Sequence, residues 1–237
     1  MGLFTSLMFV LSIVTFIVGC GSAYLGATSN SDKPDTVVTQ SNNVKTKKNN
    51  VTKVGNGSYN SKEINSIDLT WSGGNVEVIE STANNLSIVE EIHSGNVNEN
   101  QKMHWEVCNG KLTVTPAKPG KNLSDSIKKD LRIYVPKRLK EFKIDLVASS
   151  IEYRRATPEE INFNLVGSNV KLWLIDCNKV EANGVGSKAN IELVNGLGAT
   201  VRSSGVAVGG NNAEEYGDGK CKINIKGTGV ECNIVRT

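Results

Sequence analysis

The sequence predicts an all-β body, a β-solenoid of short strands in coils of about 19 residues, preceded by an amino-terminal apolar helix and a disordered polar linker. Three observations predict it. First, Val147-Ala148-Ser149-Ser150-Ile151 recurs as Val166-Gly167-Ser168-Asn169-Val170 and again as Val185-Gly186-Ser187-Lys188-Ala189. Ser149, Ser168 and Ser187 therefore fall 19 residues apart. Second, apolar residues flank these anchors at every second position: Phe142, Ile144 and Leu146 before the first, Val170, Leu172 and Leu174 after the second. Period 2 is the signature of a strand with one buried face. Third, no stretch keeps helical period over helical length; the one short candidate is a single turn at Ser124–Lys129.

Composition narrows the class further. The chain has 237 residues, 38% of them hydrophobic and 22% charged, with a formal net charge of +3. That excludes a collagen, a coiled coil and a polytopic membrane protein. Six Lys against two Asp give residues 27–62 a charge of +4, which leaves −1 for the rest of the chain. A nucleic-acid domain would carry its Lys and Arg on the folded face instead. No nucleic-acid partner is expected.

Taken in order, residues 1–27 come first as a signal peptide or membrane anchor. Leu3 to Val18 carries no charge, and the run closes on Ile17-Val18-Gly19-Cys20-Gly21-Ser22. An apolar run closed by small residues is an export pattern. Its end resembles a bacterial lipobox. That resemblance implies cleavage before Cys20 and attachment of a diacylglyceryl group to the Cys20 sulfur. The alternative is an uncleaved span, because weak apolar character continues to Ala27 and about 20 residues suffice to cross a bilayer. Both place the body on the extracytoplasmic face of a bacterial membrane. Met1, Gly2 and Ser6 also fit a myristoylation pattern, which the apolar run behind them explains by chance.

Residues 28–62 read as a disordered tether rich in Asn, Ser, Thr and Lys. Isolated Val residues there bury too little surface to offset ordering entropy. The expected reach is on the order of 30 Å. The Lys45–Lys48 cluster could touch anionic lipid or wall polymer.

The folded domain is expected over 63–237. Its first half shows strands at Ile67–Trp71, Val76–Ile79, Leu86–Val89, Trp105–Val107, Lys111–Val114 and Leu131–Val135, the last stopped by Pro136. Its second half carries the repeat. Weaker copies of the anchor follow at Ser204 and Thr228, spaced 17 and 24 residues on, so one coil is shortened and the next carries an insertion. The expected role of Ser149, Ser168, Ser187, Ser204 and Thr228 is structural: small residues let the backbone turn and stack at the corners.

Alternating strands, then Leu131–Pro136, then the Gly/Ser-anchored coils at 147–151, 166–170 and 185–189 resemble the bacterial putative-adhesin family of β-solenoids, over about residues 64–237. The resemblance implies a stacked β fold, an amino-terminal membrane anchor and a surface binding role. It carries no agreed catalytic residues, so none is transferred. The Asn211–Lys220 insertion and the irregular fourth coil depart from the pattern.

Chemistry-bearing motifs are scarce. Cys108, Cys177, Cys221 and Cys232 lack zinc spacing. Cys221 and Cys232 fall on inward positions of one coil, where a disulfide staple is an option in an exported protein; buried free thiols are the alternative. His93 and His104 read as surface groups. No nucleophile elbow, phosphate loop or dinucleotide fingerprint is present. Glu214, Glu215 and Asp218 sit in a Gly/Asn-rich loop, but their spacing fits no calcium pattern. Glu152, Lys171, Glu192 and Glu231 follow the outward side of successive coils with mixed sign, as a solvated face does. No cofactor, metal or catalytic residue is expected. The expected function is a membrane-anchored surface protein that binds a cell-wall polymer, a carbohydrate or a surface protein. The alternatives are a regulatory or envelope-stress accessory acting through a membrane partner, and a carbohydrate-active β-helix enzyme.

Overall fold

The computed structural model describes residues from Thr52 onward, apart from 54–56, 61–62, 82–84, 95–96, 122, 124–126, 208 and 211–212. The expected anchor at 1–27, with Cys20, lies outside the described residues, as does most of the expected linker.

Among the described residues the body is all-β, one open 17-stranded sheet. Its elements are β1 (Thr52–Lys53), β2 (Gly57–Asn60), β3 (Ser66–Ser81), β4 (Asn85–Ser94), β5 (His104–Cys108), β6 (Lys111–Thr115), β7 (Lys128–Pro136) and β8 (Glu141–Ala156). There follow β9 (Glu160–Val166), β10 (Asn169–Leu174), β11 (Lys179–Val185), β12 (Lys188–Leu193), β13 (Ala199–Val206), β14 (Gly209–Gly210), β15 (Ala213–Tyr216), β16 (Cys221–Thr228) and β17 (Glu231–Arg236). Two corrections to the sequence reading appear at once. β1 and β2 lie inside the segment expected to be linker and pair with β5 and β4. An edge strand is held by backbone hydrogen bonds, so polar composition did not forbid it. Lys128 and Lys129, expected in a helical turn, open β7 instead.

Two parallel ladders run through the body, joined because β3 and β8 belong to both. The first is β6–β3–β8–β9–β11–β16–β13. The second is β7–β3–β8–β10–β12–β17–β14. Antiparallel strands extend the margins: β4 on β7, β5 on β6 and β15 on β13. Inward residues of both ladders form one continuous core that includes Trp71, Trp105, Phe142, Tyr153 and Phe163. Large and small residues alternate across it: Phe163, Ala182 and Ile225 stand in one register, the kind of interdigitation that close packing requires.

The corner between the ladders is the most regular feature. Ser149, Ser168 and Ser187 are buried there. Each hydroxyl donates to the carbonyl two residues back, Val147, Val166 or Val185, at 2.9 Å. The same oxygen accepts from the layer before: Ser149 N donates to Ser168 Oγ at 3.2 Å, and Ser168 N to Ser187 Oγ at 3.1 Å. Buried hydroxyls are tolerated here because each is hydrogen-bonded, those of Ser168 and Ser187 twice. The residue just ahead of the corner is left-handed in six stacked layers: Gly73, Ala148, Gly167, Gly186, Gly229 and Ala207, with φ between 48 and 63°. That shared turn explains the Gly/Ala before each anchor.

The register corrects two expected corners. Thr228 pairs with Val185 and Val206, so it is the last residue of its strand, and Val230 takes the corner opposite Ser187. Ser204 pairs with Lys226 in mid-strand. Similarity of short Gly/Ser strings placed these anchors two or more residues early. Pairing is decided by the whole strand, whose side chains would all change face with a one-residue slip.

The stack also leaves chain order. β16 and β17, the last unit, lie against β11 and β12, while β13 and β14 lie beyond them. Polarity gives the reason. The last unit buries Cys221, Ile223, Ile225, Val230, Cys232 and Ile234. β13 buries Ala199 and Val201 and then continues with Ser203, Ser204 and Gly205, the last two exposed. The more apolar unit takes the position with neighbours on both sides. Close approach is made possible by a glycine column, Gly184, Gly227 and Gly205: a Cβ on Gly227 would stand 1.9 Å from Gly184 O, and one on Gly205 1.9 Å from Gly227 O.

Candidate binding face

The outward side of the first ladder carries an aliphatic row of Val147, Val166, Val185 and Val206, with Thr228 among them, beside a polar one. Asp145, Asn164, Asn183 and Lys226 share one row, and Asn164 Nδ2 donates to Asp145 Oδ1 at 2.6 Å. The second ladder differs, because one of its outward rows is aromatic and amphipathic. Tyr134 of β7 pairs with Ile79 of β3, which pairs with Arg154 of β8. Trp173 of β10 follows, and it pairs with Glu192 of β12, which pairs with Val235 of β17. Tyr134, Ile79 and Trp173 are half-buried and Arg154 is exposed.

Local structure aims this row. The register between β8 and β10 shifts opposite Leu172–Leu174, and Arg155 there has φ 59°. The extra residue is a bulge, which bends the strand and re-aims its neighbours. The result sets the Arg154 guanidinium 5.8 Å from the centre of the Trp173 ring, within cation–π range. Arg154 is also paired with Glu152, and Arg132 on the adjacent row donates to Glu77 Oε2 at 2.6 Å. Glu192 accepts from Thr237 Oγ1 at 2.9 Å. Tyr134 and Trp173 stand three strand spacings apart, about 14 Å. Two aromatic faces with an aliphatic residue and a cation between them can stack flat apolar faces and bond hydroxyl or acidic groups.

Beneath this face lies a buried polar node. Lys129 of β7 is wholly buried. Its ammonium donates to Glu90 Oε1 at 2.6 Å, to the Gln101 carbonyl at 2.6 Å and to the Pro116 carbonyl. Glu90 Oε1 also accepts from Met103 N at 2.9 Å. The Trp71 ring lies 5.5 Å from the ammonium, and its Nε1 donates to Lys129 O at 3.2 Å. Burial pulls the Lys129 pKa down, against the pull of Glu90. The node fastens the 98–117 segment to β4 and β7, a positioning role. Sequence reasoning missed it, although the alternation Lys129, Leu131, Ile133, Val135 places Lys129 on the inward face.

A half-buried carboxylate closes the far end of β3. Glu80 Oε1 accepts from Thr157 N at 2.6 Å, Thr157 Oγ1 at 2.8 Å and Tyr153 Oη at 3.1 Å. Burial raises its pKa, and these hydrogen bonds only partly offset that.

The remaining sequence candidates separate. Cys221 and Cys232 are free buried thiols. They cannot meet as a staple: Ile223 and Ile225 separate Cys221 from the corner beside which Cys232 lies. From Cys221 to Thr228, the strand's last residue, is seven residues or about 23 Å along the strand, whereas a disulfide needs Cα atoms within about 7 Å. Burial pushes the Cys232 thiol up to about 11. Glu214 and Glu215, expected in a loop, lie on β15 opposite Val201 and Thr200. Among the described residues no group of three His, Cys, Asp or Glu could hold a metal ion. His93 Nε2 lies 2.9 Å from Asp130 Oδ2 at the surface, in the place expected for it.

No family model and no curated protein matches the chain. A solved structure does share its fold, and two more bear a weaker likeness to it. A putative cell adhesion protein from Clostridium sporogenes is 17% identical, with a TM-score of 0.53 over 80% of this chain and 99% of that one. A putative adhesin from Bacteroides fragilis is 14% identical, with a TM-score of 0.30 over 79% of this chain and 97% of that one. One from Parabacteroides distasonis is 11% identical, with a TM-score of 0.23 over 80% of this chain and 95% of that one. At these identities the likeness to the Clostridium sporogenes protein concerns the fold alone: an all-β body of parallel ladders.

Proposed function

We propose that this chain is a non-catalytic binding protein displayed on a bacterial cell surface, with the outward face of the second ladder as its contact surface. The observation that carries this reading is the row Tyr134, Ile79, Arg154 and Trp173, an aromatic and cationic strip on a broad open sheet. Aromatic residues and Arg are the types that dominate contact energy at interfaces. The shared fold with a putative cell adhesion protein supports the same reading. The 19-residue register of β8, β9 and β11 supports reading the body as a β-solenoid whose last two coils have exchanged places.

Anchoring belongs to the amino-terminal segment. Lipidation at Cys20 or a span over residues 3–27 would hold the body outside the membrane, on a tether that begins near Thr28. The ligand class is a cell-wall polymer, a carbohydrate or a surface protein.

Two measurements test this. Retention of the chain on insoluble cell-wall polymer should fall at least tenfold in a Tyr134→Ala/Trp173→Ala variant and stay unchanged in Asn183→Ala on the first ladder. Equal retention of all three would end the proposal for this face. Intact mass of native protein beside Cys20→Ala decides the anchor: loss of residues 1–19 with added lipid mass supports a lipoprotein, and full length without lipid supports an uncleaved span.

A further inference from the structure

Cys177 and Cys221 lie together in the core although 44 residues of chain separate them. Cys177 stands two residues before Lys179, the first residue of β11, and Cys221 opens β16. These strands pair in parallel from Lys179 opposite Lys222 onward, and Lys222 N donates to Asn178 O at 2.9 Å. Cys221 therefore stands across from the Cys177–Asn178 peptide at one strand spacing. Both side chains are buried, and Cys177 Sγ is held by contacts to Lys179 O at 3.2 Å and Glu159 O at 3.6 Å. The neighbouring Cys177 thiol and burial together push the Cys221 thiol far up. Neighbouring strands are about 4.8 Å apart, and disulfides join Cα atoms about 4.4–6.8 Å apart.

We propose that Cys177 and Cys221 form a disulfide that locks the last unit into its out-of-order place beside β11. The oxidant is a disulfide donor, either a small disulfide or a dithiol oxidoreductase in its oxidised form. One protein thiolate attacks the donor disulfide and releases one donor thiol. The second protein thiolate then displaces the other donor thiol, so two S–H bonds and one donor S–S bond become one protein S–S bond and two donor thiols. Exchange takes place while the chain folds, before burial shields both sulfurs and disfavours thiolate. In the cell the step rests on the surface location proposed above, because such donors persist outside the cytoplasm.

The test uses the full chain in detergent. It is reduced, denatured and refolded in a mixture of oxidised and reduced glutathione, then alkylated and peptide-mapped without reduction. A Cys177–Cys221 cross-linked peptide, with Cys108 and Cys232 alkylated, is the expected result. Reduction should then lower the Tm by on the order of 10 °C, the scale for a loop of this length; the Cys177→Ser variant should show no such dependence. Folded protein with both thiols alkylated, a Cys221–Cys232 link, or a Tm indifferent to reductant would each overturn the pairing. Mapping the chain trapped directly from cells separates the two readings. A link present after refolding but absent in cells overturns the surface location, whereas absence from both overturns the disulfide.

Discussion

Replacing Gly227 with Ala probes the point where the last unit enters the stack. Gly227 has φ 154°, and an added Cβ would meet Gly184 O at 1.9 Å and Val230 Cγ2 at 2.8 Å. The first of these atoms is backbone and cannot rotate away. The Gly184 carbonyl would have to retreat by more than about 1 Å to restore ordinary contact, stretching the nearest ladder bonds between β11 and β16, each worth about 1 kcal/mol. The backbone conformation itself adds about 1–3 kcal/mol for a residue with a Cβ. Together these predict a loss of about 4 kcal/mol, a Tm decrease on the order of 10 °C for a body this size. Gly167→Ala is the control. It has φ 55° and nothing within 4 Å of the added Cβ, so only the left-handed penalty of about 1–2 kcal/mol applies. Urea unfolding followed by the fluorescence of the buried Trp71 and Trp105 compares the two. Equal losses in both variants, or a loss below about 1 kcal/mol for Gly227→Ala, would refute the close glycine register.

Three further outcomes follow from the same geometry. Ser168→Ala removes the acceptor of Ser149 N and the hydroxyl bonded to Val166 O, and should cost about 2 kcal/mol in urea unfolding because a buried N–H is left unpaired. Lys129→Met strands the buried Glu90 carboxylate and should cost about 3 kcal/mol or more, whereas adding Glu90→Gln should recover part of that loss in a double-mutant cycle. Stability should also respond to Glu80: burial raises its folded pKa above the ordinary carboxylate value of 4.5, so the folded state keeps the proton longer than the unfolded chain. Stability is then highest at acid pH and falls as pH rises through the window above about 4.5, and Glu80→Gln should flatten that fall in urea midpoints measured from about pH 4 to pH 7.

Parts of the candidate face were legible in the chain. The alternation Val170, Leu172, Leu174 already turns Lys171 and Trp173 outward, and Ile133 and Val135 do the same for Tyr134. What could not be read was that Tyr134, Ile79, Arg154 and Trp173 form one row. That depends on four strands from distant parts of the sequence and on a bulge at Arg155, and no local signal encodes cross-strand register. Lys129 is the reverse case. Its inward position was implied by the pattern, but a Lys is read as solvated until Glu90 and two backbone carbonyls are seen around its ammonium.

The sequence by itself determined the all-β class, the strands of both halves and the serine corner at Ser149, Ser168 and Ser187. Each of these is written in local period and repetition: alternate burial, a left-handed small residue, and a hydroxyl that bonds two residues back. The tertiary structure alone decided the order of the stack, the true register of Ser204 and Thr228, the entry of β1 and β2 into the sheet and the meeting of Cys177 with Cys221. These depend on which unit gains most by being covered on both sides. That is a comparison among whole strands competing for the same neighbours, and the chain order of the repeats does not contain it.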